Sequence, residues 1–242
     1  MTYNIIATGS SGNAVVIDDC ILIDCGVSVR ALESVISSIK LVLLTHIHKD
    51  HFKPGTAAAI HRRRPLVRFG CCEWMVKPLL DAGVNKRNID VYDFDMGVCY
   101  GSSFPYAIEP VKLTHNVPNC GYRIFGPDGK KLFYATDTGT LDDITAKDYD
   151  LYLIEANHTR AELEARAEAK QAAGVYAYEV EAAQNHLSQE QALDWIYQNI
   201  GTNGRYIFLH GHTERKEAAD RGEPEAVHDV REHLQGSAEN TE

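Results

Sequence analysis

The chain has 242 residues, 44% of them hydrophobic and 24% charged, which is the composition of an ordinary soluble globular protein. Its longest apolar runs, such as Leu41–Leu44, fall far short of the roughly 18 residues of a membrane-spanning helix, and its start lacks a signal-peptide pattern. The net charge of -10 excludes a diffusely basic coat for nucleic acid. We therefore expect a cytoplasmic protein without a membrane partner, whose six scattered cysteines stay reduced.

The first part of the chain is predicted to contain short strands and three helices. The strands are β-branched or continuously apolar runs at residues 3–7, 14–18, 21–24, 41–44 and 66–69. The helices are amphipathic stretches at residues 28–39, 56–64 and 73–81. Ser28 is a suitable N-cap for the first of these helices.

The second part returns to strands and ends in a charged tail. Strands are predicted at residues 122–125, 131–134, 151–154 and 206–209, the first two joined by the turn Pro127-Asp128-Gly129. Helices are predicted at residues 159–171 and 189–199, the latter capped by Ser188. We expect a catalytic domain over residues 1–213 and a charged helix or tail over 214–242. Strands in two groups with helices outside them indicate a two-sheet α/β (α+β) fold.

Four potential metal ligands follow the strand at residues 41–44 within the run Thr45–His51. If the extended backbone continues for two residues, His46 and His48 point to one side, and Asp50 and His51 come from the bend that follows. Imidazole and carboxylate ligands suit zinc, manganese or iron, and the lack of cysteine argues against a zinc finger. The run therefore predicts a metal site.

This run resembles the signature of the metallo-β-lactamase fold superfamily, and three later residues fit the same pattern in the right order. His115, Asp137 and His210 each follow a predicted strand. The resemblance implies a four-layer αββα sandwich holding two divalent metal ions, zinc or manganese, with iron also possible. It assigns the ligands as follows: His46, His48 and His115 for one ion, Asp50, His51 and His210 for the other, and Asp137 as a bridge. His212 also follows the last strand and remains an alternative to His210.

Further motifs are similar to the nuclease, RNase Z-like branch of that superfamily. Residues 153–158 (Leu-Ile-Glu-Ala-Asn-His) and 185–188 (Asn-His-Leu-Ser) look closest to the YycJ-like bacterial exonucleases. The resemblance makes His186 the proton donor to the leaving group and Glu155 the acid that orients it, with Asp50 also in the catalytic group. His158 either lines the phosphate site or has a structural role. The residues between 160 and 185 depart from that family, being rich in alanine and glutamate.

The favoured function is a dinuclear metal-dependent phosphodiesterase, a 5′-to-3′ exonuclease acting on DNA in preference to RNA. Two metals about 3.5–4 Å apart lower the pKa of a bridging water to give a hydroxide and stabilise in-line attack at phosphorus. One rival is a hydrolase of a small ester, thioester or lactam, which would not require Glu155 with His186. Another is a di-iron redox module, which would be expected to carry a flavin-binding domain. The basic cluster at residues 61–64 with Arg68 either guides a phosphate backbone or is a solvated helix end.

Overall fold

Residues 1–172, 184–211 and 228–229 are described by a computed structural model. They contain two mixed sheets, of six and seven strands, together with α-helices, which confirms the predicted α/β class. The chain forms two compact units. The first comprises Met1–Lys112 with Val117–Tyr122, and the second comprises Leu113–Asn116 with Arg123–Glu242.

The six-stranded sheet belongs to the first unit and keeps its strands in chain order. Its strands are β1 (Tyr3–Ala7), β2 (Ala14–Ile17), β3 (Ile21–Ile23), β4 (Leu41–Leu44), β5 (Arg68–Cys72) and β6 (Ile89–Tyr92). The first three strands are antiparallel, and β3 to β6 are parallel. Because the carboxyl ends of parallel strands share one edge, the segments that follow β3, β4, β5 and β6 emerge together.

Two α-helices of this unit agree with the sequence, and a third predicted helix does not form. Helix α1 covers Pro54–Arg63, and α2 covers Val76–Asp81 after a 3₁₀ turn at Glu73–Met75. The predicted helix at residues 28–39 is wrong beyond its start, because only the 3₁₀ turn Val29–Leu32 forms, capped by Ser28. The following residues include β-branched and serine side chains, which have low helix propensity.

The seven-stranded sheet contains the later strands. They are β7 (Val98–Cys99), β8 (Ala107–Leu113), β9 (Asn119–Phe125), β10 (Lys131–Ala135), β11 (Leu151–Glu155), β12 (Arg205–Leu209) and β13 (His228–Asp229). Within the second unit β10, β11 and β12 are parallel, and β13 pairs antiparallel to β12. The segments after β10, β11 and β12 therefore also emerge at one edge.

The helices of the second unit lie where the sequence predicts them. Helix α3 covers Arg160–Ala172 and α4 covers Gln189–Asn199. Ser188 begins α4 with a reciprocal capping box to Gln191. On its buried face, Trp195 stacks on Phe133 of β10 with 5.0 Å between ring centroids. Helix α4 therefore packs against the seven-stranded sheet.

Two sequence predictions, on membrane helices and on the charged tail, can be compared only with the residues that the structure describes. No described helix is long and apolar enough to cross a membrane. The predicted tail at residues 214–242 lies outside the described residues except for β13, so the division at residue 213 stays a prediction.

Candidate metal centre

The loop after β4 gathers the histidines of the first unit. The ring centroids of His46 lie 4.7 Å from those of His48 and 4.2 Å from those of His51. Asp50 brings its Oδ2 to 3.6 Å from Nε2 of His51. His46 and His51 are fully buried, whereas His48 and Asp50 are partly exposed. The four predicted ligands of this unit thus form one cluster.

Asp24, which follows the neighbouring strand β3, orients this cluster. Its buried carboxylate accepts a hydrogen bond from Nδ1 of His51 at 2.7 Å and from the backbone and hydroxyl of Thr45, both at 2.9 Å. With its hydrogen donated to Asp24, the Thr45 oxygen accepts from Nδ1 of His46 at 3.0 Å. Burial raises the pKa of Asp24, and the charge and hydrogen bond of His51 oppose that rise.

A close backbone approach holds the bend at Asp50. The backbone N–H of Asn13 donates to the carbonyl of Asp50 at 2.6 Å, and the Asn13 side-chain amide lies 2.8 Å from Nε2 of His51. Gly26 leaves room for the same bend, since a Cβ there would lie 1.6 Å from the Asp50 carbonyl oxygen. The glycine loop at residues 9–13 therefore supports the predicted ligands as well as forming a turn.

The second unit gathers a cluster of acidic and histidine side chains at the carboxyl ends of β10, β11 and β12, together with His186 from the segment before α4. One potential ligand atom from each of Asp137, Glu155, His186 and His210 lies within 4.8 Å of the others. Asp137 and His210 both adopt left-handed backbone conformations, with φ of 58° and 57°. Non-glycine residues rarely do so, and such strain concentrates at functional sites.

Glu155 is the central acceptor of this second cluster. Its Oε1 lies 2.5 Å from Nδ1 of His186 and 3.3 Å from Nδ1 of His210, and its Oε2 accepts from the backbone of Thr138 at 3.0 Å. Burial would raise the pKa of Glu155, but the charge and hydrogen bond of His186 lower it overall. Burial would lower the pKa of His186, but Glu155 raises it overall. The pair therefore favours a protonated imidazole beside a carboxylate.

His115 is held by the segment that carries His186. Its Nδ1 lies 3.1 Å from the backbone carbonyl of Asn185, which can only accept a hydrogen bond. Gly139 lets that segment approach, because a Cβ there would lie 1.9 Å from the carbonyl oxygen of Gln184. His115 and His186 are 5.4 Å apart between ring centroids.

His158 is buried, and its backbone contacts the segment that follows His186. Its carbonyl accepts from the backbone of Gln189 at 2.8 Å, while the neighbouring Asn157 donates to the carbonyl of Leu187 at 3.0 Å. Burial lowers the pKa of the His158 imidazole. These backbone contacts fix the chain on the carboxyl side of His186, while the role of the His158 side chain stays a prediction.

Four of the five predicted ligand histidines share one hydrogen-bonding pattern. In His46, His51, His115 and His210, Nδ1 lies within 3.3 Å of an oxygen atom of the protein. When Nδ1 carries the hydrogen, the lone pair is on Nε2, as in histidines that bind metals. Nitrogen and oxygen donors without sulfur fit zinc, manganese or iron. The donor set in each unit therefore fits a divalent metal ion.

The sequence located these side chains but missed Asp24. A signal for it was present, since Asp24 follows the apolar strand Ile21–Ile23 just as His46 follows Leu41–Leu44. The structure brings together the predicted residues of each unit, while the assignment of ligands to particular ions stays a prediction. His212, the alternative to His210, lies outside the described residues.

The basic cluster of the first unit lies away from the loop of predicted ligands at residues 45–51, called the metal-ligand loop below. Arg68 begins β5 beside Leu41, the first residue of β4, whereas His46 follows the other end of β4. Arg63 and Arg68 form ion pairs with Glu33 and Asp90. A role in guiding a phosphate backbone stays a prediction, and it would act from the opposite edge of the sheet.

Comparison with solved structures shows the fold. The chain is 15% identical to the metallo-beta-lactamase fold protein YhfI from Bacillus subtilis, with a TM-score of 0.64 over 90% of this chain and 91% of that one. It is 15% identical to the short form of human tRNase Z, with a TM-score of 0.64 over 88% and 93% of the two chains. A diphosphatase of the PhnP family gives 15% identity and a TM-score of 0.60 over 93% and 92%.

The sequence itself shows the family. No protein with a curated description matches the chain. The profile of the beta-lactamase superfamily domain, in contrast, matches residues 20–210 and so spans both clusters. That match indicates a metal-dependent hydrolase and confirms the predicted metallo-β-lactamase fold. The chain belongs to the beta-lactamase superfamily.

Proposed function

We propose that the protein is a metal-dependent phosphodiesterase acting on nucleic acid, with 5′-to-3′ exonuclease action on DNA as the first choice. The observation that carries the proposal is the pairing of His186 with Glu155 at 2.5 Å. A hydrolysis that breaks a phosphodiester must protonate an alkoxide leaving group, and a positioned imidazole can supply that proton. A hydrolase of an activated ester or lactam has less need of such a donor.

Metal binding in this proposal uses both clusters. His46, His48, Asp50 and His51 come from the first unit, and His115, Asp137 and His210 come from the second, with Asp50 also counted among the catalytic residues. Two divalent ions, when bound, supply an activated water and stabilise negative charge at the phosphorus centre. The hydrogen bond between Asp24 and Nδ1 of His51 leaves Nε2 as the nitrogen of His51 that would bind metal. The hydrogen bond between Thr45 and Nδ1 of His46 does the same for His46.

The protein's own proton donor is His186 in this proposal. Glu155 holds Nδ1 of His186, which leaves Nε2 to donate to the departing oxygen. The His186 side chain is 20% exposed, whereas that of Glu155 is fully buried. A donor that touches substrate needs such access, while the carboxylate that orients it does not.

The names of two structural relatives agree with hydrolysis at phosphorus. One is a tRNase Z and one a diphosphatase. The first name points to RNA, so RNA is the main alternative substrate. The net charge of -10 opposes a broad nucleic-acid surface, but two divalent ions would add about four positive charges locally.

A substrate panel tests this function. Purified protein supplemented with zinc or manganese is given 5′-phosphorylated single- and double-stranded DNA, RNA and a chromogenic lactam. We expect stepwise release of nucleotides from the 5′ end of DNA and little lactam turnover. The double variant His46→Ala/His48→Ala should abolish the activity. Activity on the lactam alone would refute the proposal, and activity on RNA alone would replace DNA as the substrate.

A further inference from the structure

A largely apolar groove of about 770 Å³ lies on the first unit, between the segments that follow β5 and β6. Its lining includes Trp74, Phe94, Val91 and Leu80. Three of these are unusually open for apolar side chains, with Val91 54%, Leu80 41% and Phe94 40% exposed. Isolated exposed apolar residues need no explanation, but several around one concave surface indicate a binding site.

The groove is connected to the predicted ligands by a direct contact. The indole Nε1 of Trp74 donates to the backbone carbonyl of Thr45 at 3.2 Å, and Thr45 immediately precedes His46. Strands β4, β5 and β6 are parallel neighbours, so the segments that follow them share one edge. The groove residues that follow β5 and β6 therefore emerge within two strand spacings, roughly 10 Å, of the segment that follows β4.

The walls of the groove suit a flat aromatic ligand. The rings of Trp74 and Phe94 have centroids 6.0 Å apart and planes tilted by 32°. Trp74 is anchored by its hydrogen bond, which fixes the orientation of the indole face. Aromatic side chains of this kind provide stacking faces for unpaired bases in proteins that bind single strands.

The charges at the rim argue for a base there and against a phosphate. Among the described residues that line this groove, Lys77 is the only basic one, and its ammonium pairs with Asp81 at 2.6 Å. Glu73 and Asp93 add negative charge to the lining. A phosphate would be repelled at this rim, whereas a neutral base would not.

We propose that this groove binds an unpaired nucleobase of the substrate strand, stacked on Trp74 and Phe94, next to the phosphodiester that is cleaved. This inference rests on the proposed function and adds a site for the base to it. Trp74 and Phe94 would then favour single-stranded ends, since a base must leave its duplex to stack.

Intrinsic fluorescence tests the stacking without any turnover. The protein has two tryptophans, Trp74 and Trp195, so Trp195→Phe leaves Trp74 as the sole tryptophan. This variant is titrated, with a chelator present, with a mixed-sequence DNA octamer and with an abasic octamer of equal charge. We expect the octamer with bases to quench Trp74 and the abasic octamer to leave it unchanged. Equal quenching by both, or quenching by neither, would overturn the proposal.

Affinity measurements provide a second readout in the protein with both tryptophans. Phe94→Ala should weaken binding of the octamer about 5- to 100-fold, the loss expected for one stacked base. Trp74→Phe, which keeps an aromatic face, should retain most of the affinity. Leu66→Ala is the matched control, because Leu66 is 92% exposed and precedes β5 at the other edge of the sheet.

The outcomes separate this inference from the proposed function. A protein that degrades DNA but binds the octamer equally well with and without Phe94 would overturn the base site alone. A protein inactive on every nucleic acid, yet quenched only by the octamer with bases, would refute the nuclease and keep the base site. A dimer that Phe94→Ala dissociates would instead assign the groove to a second copy of the chain and overturn the proposal.

Discussion

Each unit holds a histidine against a fully buried carboxylate, His51 against Asp24 in the first and His186 against Glu155 in the second. The two distances are similar, 2.7 and 2.5 Å. The surroundings differ, because the His51 side chain is fully buried while the His186 side chain is 20% exposed.

The carboxyl groups of the two pairs also respond differently to burial. The pKa of Asp24 is raised, with burial outweighing His51, whereas the pKa of Glu155 is lowered because His186 and His210 both contact it. A neutral imidazole with its lone pair on Nε2 suits a metal ligand, and a protonated imidazole suits an acid. The same pair of side chains can therefore support either role, depending on its exposure and on neighbouring histidines.

The largest effect should come from removing the exposed member of the second pair. His186→Ala is expected to keep its metal content and to lose about 10²- to 10⁴-fold in turnover of DNA, the usual contribution of a general acid. The loss should be much smaller with bis(p-nitrophenyl) phosphate, whose leaving group departs without a proton. Metal analysis and kinetics with both substrates check this. An equal loss with both would remove the acid role.

A smaller effect, on metal affinity, should follow from changing the first pair. Asp24→Asn is expected to weaken metal binding about 10- to 100-fold, because the residue that orients a ligand histidine is altered. Competition with a chromogenic chelator measures the affinity. Asp90→Asn is the control, since Asp90 pairs with Arg68 away from the metal-ligand loop. If both variants bind metal as the unaltered protein does, Asp24 does not orient a ligand.

The two clusters also differ in how far the sequence predicts them. Four predicted ligands of the first cluster lie within residues 46–51, so their spacing and the preceding apolar strand indicate them directly. His115, Asp137 and His210 are far apart in the chain, and only the resemblance to a known superfamily joined them. Strand order at one edge of a sheet is what unites such residues, and it is a non-local property that local patterns do not encode.

The unusual backbone conformation of three site residues could not be predicted from the sequence. Asp24, Asp137 and His210 all have φ near 60°, which residue type alone does not reveal. The absence of a helix after Val29–Leu32 has a similar origin, because the periodic pattern was present but the β-branched and serine residues favoured turns. Conversely, Gln189–Asn199 was predicted to its exact bounds because cap and apolar face agree.

Glycine substitutions test whether the second cluster depends on a close backbone approach. Gly139→Ala should reduce turnover on the order of tenfold, because the new Cβ must displace the carbonyl of Gln184 and with it His186. Gly55→Ala in α1 of the first unit is the control, since a Cβ there meets nothing within 4 Å. The turnover of both variants is measured, and circular dichroism confirms that both fold. Unchanged turnover for Gly139→Ala would show that the segment before His186 adapts.

The smallest predicted effect is on stability, and it concerns the serine N-caps of the two units. Ser188 accepts from the backbone of Gln191 at 3.2 Å within a full capping box, whereas Ser28 accepts from Ala31 at 3.4 Å and caps only a 3₁₀ turn. Ser188→Ala should lower the free energy of unfolding by about 1 kcal/mol, and Ser28→Ala by less. Urea unfolding measures both. Because Ser188 follows His186 by two residues, a loss of turnover in Ser188→Ala with unchanged metal content would show that the cap also positions the proton donor. Equal stability losses in the two variants would mean that the Ser188 hydroxyl stabilises its α-helix no more than the Ser28 hydroxyl stabilises a 3₁₀ turn.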